Sequence, residues 1–292
     1  MTEYGEVIEN ASLKDYTSLK VGGKCHFLIK PYSTNHLIKL LEYLKAKKYR
    51  YYILGKGTNV IIDDNYFDGV IIRLDNLNKI IYNDNIVTAQ CGVSLPLFVK
   101  DTLKHGFTSL GFAAMIPGSI GGSVVGNAGA YGHEIMEYLK SLTVINQNNE
   151  VITIDKNDIS FGYRYTSLKD KYIILDATFI LNKGDVIQEE NNIKANNQKR
   201  IDTQPLEYPN VGSIFRNPEG DSAGRIIESL NLKGKEIGGA LISNKHANFI
   251  VNKKDATFKD VTSLINEIKK EVKEKKNINL IVEPTIITWR DI

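Results

Sequence analysis

The segment spanning residues 110–132 (LGFAAMIPGSIGGSVVGNAGAYG) constrains the fold more than any other part of this chain. It carries seven glycines, one proline and no charged residue, so it is far less polar than a solvated linker. Glycine opens backbone dihedral angles that are closed to other residues and allows close approach to a partner. Residues 118–122 can therefore present several backbone N–H groups to one anion, as helix N-termini and nests do. A close-packed buried turn is the alternative interpretation.

Length and composition exclude several classes of protein. The 292 residues allow one large domain or two to three small ones, and the net charge is only +3. Lysines near the C-terminus alternate with glutamates, which is typical of a solvated helix face, so we expect no nucleic-acid partner. The two cysteines, Cys25 and Cys91, form no CxxC pair, which argues against a disulfide framework or a zinc site, and we expect no metal. With no signal peptide and no apolar run of roughly 18 residues, we expect a cytoplasmic protein without membrane association.

The first third of the chain predicts a strand, a helix and a second strand before a glycine-rich loop. The strands are expected at 25–30 and 51–54, and Ser33 or Thr34 can cap a helix that runs to about Lys48. The loop GKGTN follows at 55–59, so the segment resembles a βαβ unit with an anion-binding loop. The loop matches neither the Rossmann fingerprint nor the P-loop, and an ordinary tight turn is the alternative. Two glycine-rich loops, 55–59 and 118–122, would suit one extended phosphate ligand.

The last third predicts an irregular segment between helices and a closing strand. Three prolines interrupt residues 204–218, so this stretch is not one regular element. Ser213 follows Gly212 there, where a tight turn would expose its hydroxyl. A polar helix is expected at 185–200, an amphipathic helix at 257–276 and a strand at 280–287. That strand carries Glu283 among apolar neighbours, and because an unpaired buried carboxylate is costly, we expect it to be paired or protonated.

Seven motifs occur in order along the chain: SLKVGG at 18–23, LGKGTN at 54–59, IPGSIGG at 116–122, NAGAYG at 127–132, Tyr163-Arg164, PNVGSIFRNP at 209–218 and SNKHANFIVN at 243–252. Taken together, they resemble the UDP-N-acetylenolpyruvoylglucosamine reductases, the flavoenzymes of bacterial peptidoglycan synthesis. The resemblance runs from about Ser18 to Glu283.

The resemblance implies an α+β fold. A two-part FAD-binding unit of the vanillyl-alcohol-oxidase type would occupy residues 1–75 and 76–184. An α+β substrate-binding domain would follow at 185–292, with the last strand, about 279–292, returning to the flavin domain. The short interval from Arg164 to Tyr172 leaves no room for the tyrosine-bearing loop of one family type, so the chain resembles the shorter type.

The resemblance also implies a reaction. FAD would be bound without a covalent link, and NADPH would be the co-substrate. Hydride would pass from NADPH to the flavin and then to the double bond of UDP-N-acetylglucosamine enolpyruvate. We expect a monomer that acts on this small substrate.

Three residues match the family's catalytic positions. Hydride addition builds negative charge next to the substrate carboxylate, which requires a stabilising group, and a proton must then reach carbon. The resemblance assigns stabilisation to Arg164 and Glu283, and proton delivery to Ser213. Arginine suits its role because its guanidinium stays charged and forks onto a carboxylate. Around Glu283, Ile281 and Val282 replace a more usual Glu-Pro pair.

Cofactor and substrate contacts follow from the same motifs. The FAD-binding positions are Gly55, Lys56, Gly57, Thr58, Asn59, Pro117, Gly118, Ser119, Gly121, Gly122, Ser123, Asn127, Ala128 and Gly129. The predicted substrate-binding positions are Asn210, Arg216, Asn217, Lys245 and His246.

Two other functions fit the same residues. The first is another FAD oxidase or dehydrogenase of the same flavin-binding class, some of which attach the flavin through histidine. The glycine loops hold no histidine, although His133 lies just beyond Gly132. The second is a nucleotide-sugar-binding protein that carries out no chemistry.

Overall fold

The computed structural model describes residues 1–290 and 292. Its α-helices are α1 (Thr34–Ala46), α2 (Leu95–Lys104), α3 (Ile120–Val125), α4 (Val186–Thr203), α5 (Ala223–Glu228) and α6 (Phe258–Lys276). Its strands are β1 (Gly5–Ser12), β2 (Lys24–Pro31), β3 (Tyr51–Ile53), β4 (Val60–Ile62), β5 (Phe67–Ile72), β6 (Ile80–Asn83), β7 (Ile86–Gln90), β8 (Gly129–Ala130), β9 (His133–Glu134), β10 (Leu139–Ile145), β11 (Val151–Asp155), β12 (Phe161–Gly162), β13 (Tyr165–Thr166), β14 (Ile173–Ile180), β15 (Glu236–Ile237), β16 (Ala240–Ile242), β17 (Ile250–Asn252) and β18 (Thr285–Ile287). None of the helices in this described part combines the length and apolar character needed to cross a bilayer.

Two compact units, each built from separate chain segments, make up the fold. Unit 1 comprises Met1–Glu9, Phe27–Lys56 and Gly69–Asn197. Unit 2 comprises Asn10–His26, Gly57–Asp68 and Gln198–Ile292. The three-part division at 75 and 184 stays a prediction.

A four-stranded sheet with the order β1-β2-β5-β3 contains the predicted strand–helix–strand segment. Ser33 caps α1 by accepting a hydrogen bond from the His36 N–H, as the sequence predicts. The α1 face that carries Leu37, Leu40, Leu41 and Leu44 is buried in the unit 1 core. Strand β5 lies between β2 and β3, and β3 pairs with β5 in parallel, so the two strands joined by α1 are not neighbours.

A five-stranded antiparallel sheet, β11-β10-β14-β7-β6, supplies the rest of the unit 1 core. The asparagine-rich turns at 83–85 and 148–149 predict hairpins from the sequence, and these form as β6–β7 and β10–β11, with Asp84 and Asn149 in the left-handed region. Strand β14 is central because it pairs with β10 on one side and β7 on the other. Phe98 of α2 packs against Phe179 of β14, with ring centroids 5.4 Å apart.

Unit 2 forms around the three-stranded sheet β15-β16-β17 and the amphipathic helix α6. The spacing of Phe258, Val261, Leu264, Ile265 and Ile268 predicts one inward face for α6. This is confirmed, because the last four are buried and Phe258 is half-buried. Thr257 and Asp260 form a capping box at the helix start. Leu19 and Val21, from the N-terminal part of the chain, lie in the same core.

The predicted closing strand at 280–287 is wrong in extent. Only Thr285–Ile287 is a strand, β18, which pairs in parallel with β4. Pro284 has no N–H to donate to a ladder, which accounts for the break. Before it, Val282 forms an isolated antiparallel bridge with Phe215. Glu283 therefore lies outside the regular strand and is half-buried.

Asn252 links distant segments of unit 2. Its Nδ2 donates to the Leu19 carbonyl at 3.1 Å, and its Oδ1 accepts from the Ala256 N–H at 2.9 Å. We expect Asn252→Ala to lower the free energy of unfolding by about 3 kcal/mol, because buried backbone groups lose their partners. Asn266→Ala, on the exposed face of α6, should change it by less than about 0.5 kcal/mol. Urea denaturation followed by circular dichroism would measure both, and equal values would contradict the proposed link.

Candidate functional site

Loop A (residues 54–59) and loop B (residues 116–122) contain the glycine-rich segments 55–59 and 118–122 that are predicted to hold phosphate. In unit 1 they meet at Gly55 and Ser119. A side chain built on Gly55 would come within 3.4 Å of the Ser119 Oγ, and no other atom comes as close to it. Gly121 lies against Cys91, where an added Cβ would be 3.0 Å from the Cys91 Cβ. Small residues therefore allow the loops to lie side by side.

Part of the hydrogen-bonding capacity of loop B is used within the protein. The Ile120 N–H donates to the Val93 carbonyl at 2.9 Å, and the Gly121 N–H donates to the Cys91 carbonyl at 2.9 Å. The Gly122 N–H donates to Ser119 Oγ at 3.4 Å. Fewer loop B amides are therefore available to an anion than the sequence predicts.

The N–H of Ser119, a buried residue, is not used by the neighbouring Ser94 segment. Ser119 forms an antiparallel bridge with Ser94. The flanking hydrogen bonds run from Leu95 N–H to Gly118 O and from Ile120 N–H to Val93 O, so Ser94 and Ser119 form a non-hydrogen-bonded pair. In such a pair the N–H groups point away from the partner strand. Among the described residues, neither this amide nor that of Gly118 donates to a protein group, so both can serve a ligand.

The second half of loop A belongs to unit 2, where neighbouring backbone holds it. Gly57 has φ +69°, and a Cβ there would lie 1.9 Å from the Tyr16 carbonyl oxygen. The Ser18 N–H donates to the Gly57 carbonyl at 3.0 Å, and the Thr285 N–H donates to the Asn59 carbonyl at 3.0 Å. Only glycine fits at position 57, because the conformation and the contact both exclude a side chain. Thr58 is half-buried, and Asn59 is exposed.

An ion-pair cluster lies at the first half of loop A and was not predicted from the sequence. Lys56 Nζ is 2.5 Å from one carboxylate oxygen of Asp75. Arg73 forks onto the same carboxylate, with Nε 2.8 Å from Oδ2 and a terminal nitrogen 2.9 Å from Oδ1. Burial favours the protonated acid, but the hydrogen bonds from Arg73 and Lys56 outweigh it and lower the pKa of Asp75 to about 2. The carboxylate is therefore charged at neutral pH.

The side chain of Asn127 is fully engaged with protein groups. Its Nδ2 donates to Glu134 at 2.6 Å and to the Gly162 carbonyl at 2.9 Å. Its Oδ1 accepts from the Met136 N–H at 3.3 Å. Asn127 is buried and has φ +44°, a conformation that asparagine tolerates. These bonds give the side chain a structural role, so a cofactor contact here would come from the backbone.

Arg164 occupies the turn between β12 and β13. The pairing of Gly162 with Tyr165 leaves Tyr163 and Arg164 as the two turn residues, and Arg164 has φ +56°. An arginine in this left-handed conformation is strained, and such strain clusters at functional sites. Its guanidinium donates to the Gly129 carbonyl at 2.8 Å and lies 5.2 Å from the centre of the Tyr163 ring.

Ser213 and Glu283 are brought together by backbone pairing in unit 2. The Glu283 N–H donates to the carbonyl of Ile214, the residue after Ser213, at 2.9 Å. Gly212 has φ +82°, which confirms the predicted turn before Ser213. Both side chains are half-buried. Ser213, the predicted proton donor, and Glu283, the predicted carboxylate, thus lie close to the same bridge between Phe215 and Val282.

Asn248 fixes the segment that carries Ser213. It is 3 % exposed, its Oδ1 accepts from the Phe215 N–H at 2.9 Å, and its Nδ2 donates to the Phe215 carbonyl at 2.8 Å. Its own carbonyl accepts from the Ile214 N–H at 2.9 Å. The sequence placed Asn248 within a family motif without giving it a role.

The predicted substrate residues differ in how far protein contacts engage them. Asn210 Nδ2 donates to the carbonyls of Pro205 and Tyr208, and its Oδ1 accepts from the Gly212 N–H. Asn217 accepts from the Ala223 N–H at the start of α5. These two asparagines hold the chain around Ser213, and this geometry favours a supporting role for both.

The three basic candidates retain groups that a ligand can use. The Arg216 Nε is buried and has no partner within the described residues. Lys245 donates one hydrogen bond, to the Ile201 carbonyl at 2.5 Å, and its ammonium has two further N–H donors. His246 Nδ1 accepts from the Asn248 N–H at 3.2 Å, which leaves Nε2 to carry the proton of the neutral ring. Burial and then nearby Lys233 lower the pKa of His246, so the ring is neutral at pH 7.

Family comparisons divide the chain into two recognisable parts. Residues 26–155 match a family described as an FAD binding domain. Residues 204–287 match the C-terminal domain of UDP-N-acetylenolpyruvoylglucosamine reductase. These matches confirm the expected α+β fold class, with a flavin-binding unit of the vanillyl-alcohol-oxidase type and a C-terminal α+β domain.

Individual relatives extend over nearly the whole chain. UDP-N-acetylenolpyruvoylglucosamine reductase of Caldanaerobacter subterraneus is 39% identical, covering 97% of this chain and 94% of its own. The Clostridium novyi enzyme is 40% identical, covering 97% and 92%. The crystal structure of the Thermus caldophilus enzyme aligns with a TM-score of 0.83 and 29% identity, covering 97% of this chain and 99% of its own. The chain therefore belongs to the UDP-N-acetylenolpyruvoylglucosamine reductase family.

Proposed function

We propose that this protein reduces UDP-N-acetylglucosamine enolpyruvate to UDP-N-acetylmuramate, using NADPH and non-covalently bound FAD, in peptidoglycan precursor synthesis. The observation that carries the proposal is the 39–40% identity to named reductases over 97% of the chain. The protein is an oxidoreductase and FAD is its cofactor, as the match of residues 26–155 to an FAD binding domain supports. The cytoplasmic location and the monomeric state remain part of the proposal.

The glycine loops of unit 1 fit a diphosphate-bearing cofactor. Gly55 is exposed and the Ser119 N–H points away from the paired Ser94 segment, so backbone without a protein partner is available where the loops meet. Backbone N–H groups of this kind bind phosphate without needing a charged side chain. We propose Gly55, Gly118 and Ser119 as the principal phosphate contacts of unit 1. Thr58 and Asn59 stay predicted cofactor contacts on the basis of the sequence motif. Bound FAD supplies hydride transfer, which no amino-acid side chain provides.

Arg164 is proposed to bind the substrate carboxylate. Its charge opposes the negative charge that develops as the enol ether is reduced, and a guanidinium binds a carboxylate through two parallel hydrogen bonds. The bond to the Gly129 carbonyl and the contact with Tyr163 orient the guanidinium before substrate arrives. Arg164 thereby offers a fixed charge that needs little reorganisation during the reaction.

Ser213 is proposed to deliver the proton to carbon, and Glu283 to stabilise the enol form. A serine hydroxyl is a weak acid, so it serves only when it is held next to a strongly basic carbanion. The turn at Gly212 and the hydrogen bonds of Asn248 to the following residues fix the backbone that carries this hydroxyl. Among the described residues, no protein group is hydrogen-bonded to the Ser213 hydroxyl, so it is free to face a ligand.

Arg216, Lys245 and His246 are proposed to bind the nucleotide part of the substrate. The unpartnered Nε of Arg216 is the strongest indication, because a buried N–H without an acceptor is costly and a phosphate oxygen would satisfy it. His246 is held neutral by burial, so it would donate a hydrogen bond from Nε2 and would not supply charge.

Absorption spectroscopy of the purified protein tests the function. We expect a yellow protein whose flavin absorbance is bleached by NADPH under anaerobic conditions and restored by UDP-N-acetylglucosamine enolpyruvate. Recovery with the enolpyruvyl substrate separates this reductase from other FAD oxidases, and denaturation should release the flavin. A colourless protein that takes up no FAD would contradict the proposal.

A further inference from the structure

Parallel pairing of β3 and β5 brings Lys56 and Asp75 together. The two strands pair with Ile53 opposite Ile72, a separation of 19 residues along the chain. The Leu54 N–H continues the ladder by donating to the Ile72 carbonyl at 2.9 Å. Lys56 and Asp75 are separated by the same 19 residues, so their ion pair extends the strand register past the end of the sheet.

The Asp75 carboxylate binds two cationic side chains, the buried Arg73 and the loop A residue Lys56. The Arg73 side chain is 9% exposed and meets the carboxylate with two hydrogen bonds, which fixes the carboxylate's orientation. The Lys56 side chain is 32% exposed and reaches the same carboxylate from loop A. A bidentate arginine pair provides a rigid anchor, whereas a lysine on a flexible stem gains order from its partner.

The turn that carries Asp75 also contacts the segment behind loop B. A Cβ on Gly92 would lie 1.9 Å from the Leu74 carbonyl oxygen, so the two backbones touch. The Gly92 N–H donates to the Leu77 carbonyl at 2.9 Å. The adjacent residue, Cys91, accepts the Gly121 N–H of loop B. One continuous set of contacts therefore runs from loop A through Asp75 to loop B.

We propose that Asp75 is a positioning residue for cofactor binding, holding loop A in its ligand-binding conformation by its ion pair with Lys56. This inference rests on the proposed function, because it takes FAD to be the ligand of loop A. Lys56 then acts as the loop's tether, and its charge is already balanced by Asp75. The sequence prediction instead makes Lys56 a direct FAD contact. A tether and a direct contact predict opposite effects on FAD affinity when Asp75 is replaced.

Replacing Lys56 tests the tether with little risk to the fold. Lys56→Met removes the charge and keeps the aliphatic stem, while the Arg73–Asp75 pair stays intact. We expect the dissociation constant for FAD, measured by flavin fluorescence on the deflavinated protein, to rise about tenfold, as for loss of one charged hydrogen bond. Lys30→Met is the matched control, because it removes a lysine paired with Glu6 at 3.7 Å in the same unit. That control should leave FAD affinity unchanged.

Replacing Asp75 distinguishes the two roles of Lys56. If Asp75 positions the loop, Asp75→Asn weakens FAD binding as Lys56→Met does, and the double variant is no weaker than the weaker single variant. If Lys56 acts as a direct charge on the diphosphate, Asp75→Asn frees that charge and FAD binding becomes tighter. Tighter binding, or an unchanged affinity in Lys56→Met, would overturn the inference.

Further measurements distinguish a specific loss of FAD affinity from unfolding of a variant and from failure of the proposed function. Asp75→Asn removes the carboxylate that Arg73 binds and risks unfolding. In that case Asp75→Glu, which keeps the charge on a longer side chain, replaces it: a positioning role predicts weaker FAD binding, whereas a direct Lys56 contact predicts an unchanged affinity, which would overturn the inference. The unfolding midpoint of the Lys56→Met apoprotein should match that of Lys30→Met, because the effect lies in FAD affinity and not in overall stability. Wild-type protein that binds no FAD would refute the proposed function, whereas wild-type binding with unaltered variants would refute only the positioning role of Asp75.

Discussion

Replacing Ser213 with alanine is expected to abolish the second half of the reaction and to spare the first. Bleaching of the flavin by NADPH should proceed at the wild-type rate, because no role in that step is assigned to the serine. Restoration of the flavin absorbance by UDP-N-acetylglucosamine enolpyruvate should slow by about a thousandfold, the scale of a lost general acid. Anaerobic stopped-flow absorbance measures the two steps separately.

The serine at the end of α5 provides the control for this prediction. Ser229 donates to the Ile226 carbonyl at 2.8 Å and has no proposed role in the reaction, so Ser229→Ala should leave both steps unchanged. Ser213→Cys should retain part of the activity, because a thiol is a stronger acid than a hydroxyl. Equal slowing of both steps in Ser213→Ala would show that the residue supports the fold or FAD binding and does not deliver the proton.

Arg164 is expected to be costly for stability and necessary for activity. Both Arg164→Ala and Arg164→Gly should lower kcat/KM by about 100- to 1,000-fold, as for loss of a charge that stabilises the transition state. The two variants lose the same side-chain contacts, so the difference in their stabilities measures the cost of the left-handed backbone conformation at position 164. At φ +56° glycine is unstrained, and Arg164→Gly should be about 1 kcal/mol more stable than Arg164→Ala.

Thermal unfolding and steady-state kinetics on the same two proteins test both halves of this prediction. A glycine variant no more stable than the alanine variant would show that the turn is not strained. Retained activity in either variant would remove Arg164 from the mechanism. Arg164→Lys serves as the charge control, and we expect it to recover little, because an ammonium cannot form the two parallel bonds of a guanidinium.

The sequence predicted most elements of unit 1 because their signals are local. The leucine spacing and Ser33 cap of α1, and the asparagine-rich turns of the hairpins, lie within short windows of the chain. The prediction of a strand at 280–287 was wrong in extent, also for a local reason. Its apolar composition suggested one long strand, but Pro284 interrupts it, and pairing with β4 begins only at Thr285. Composition alone could not show that only three residues find a partner in β4.

The candidate site was less predictable because its support comes from distant residues. The Lys56–Asp75 pair depends on the register of two parallel strands, which no local pattern encodes. The hydrogen bonds of Asn127 and Asn248 also span segments far apart in sequence, so motif matching could name these residues but could not separate structural from ligand-facing roles. The use of loop B amides by Val93 and Cys91 became visible only with the backbone in place.

The interleaving of the two units has a consequence for synthesis on the ribosome. Unit 2 draws Asn10–His26 from the beginning of the chain and Gln198–Ile292 from its end. Leu19 and Val21 share a core with Val261 and Leu264, so these early residues wait for their partners until the last helix has emerged. Domains made from one continuous segment can fold as soon as that segment has been synthesised, whereas this one cannot finish until α6 has followed almost the whole of unit 1 out of the ribosome. Removing the C-terminal residues should therefore damage the folding of the N-terminal segment as well.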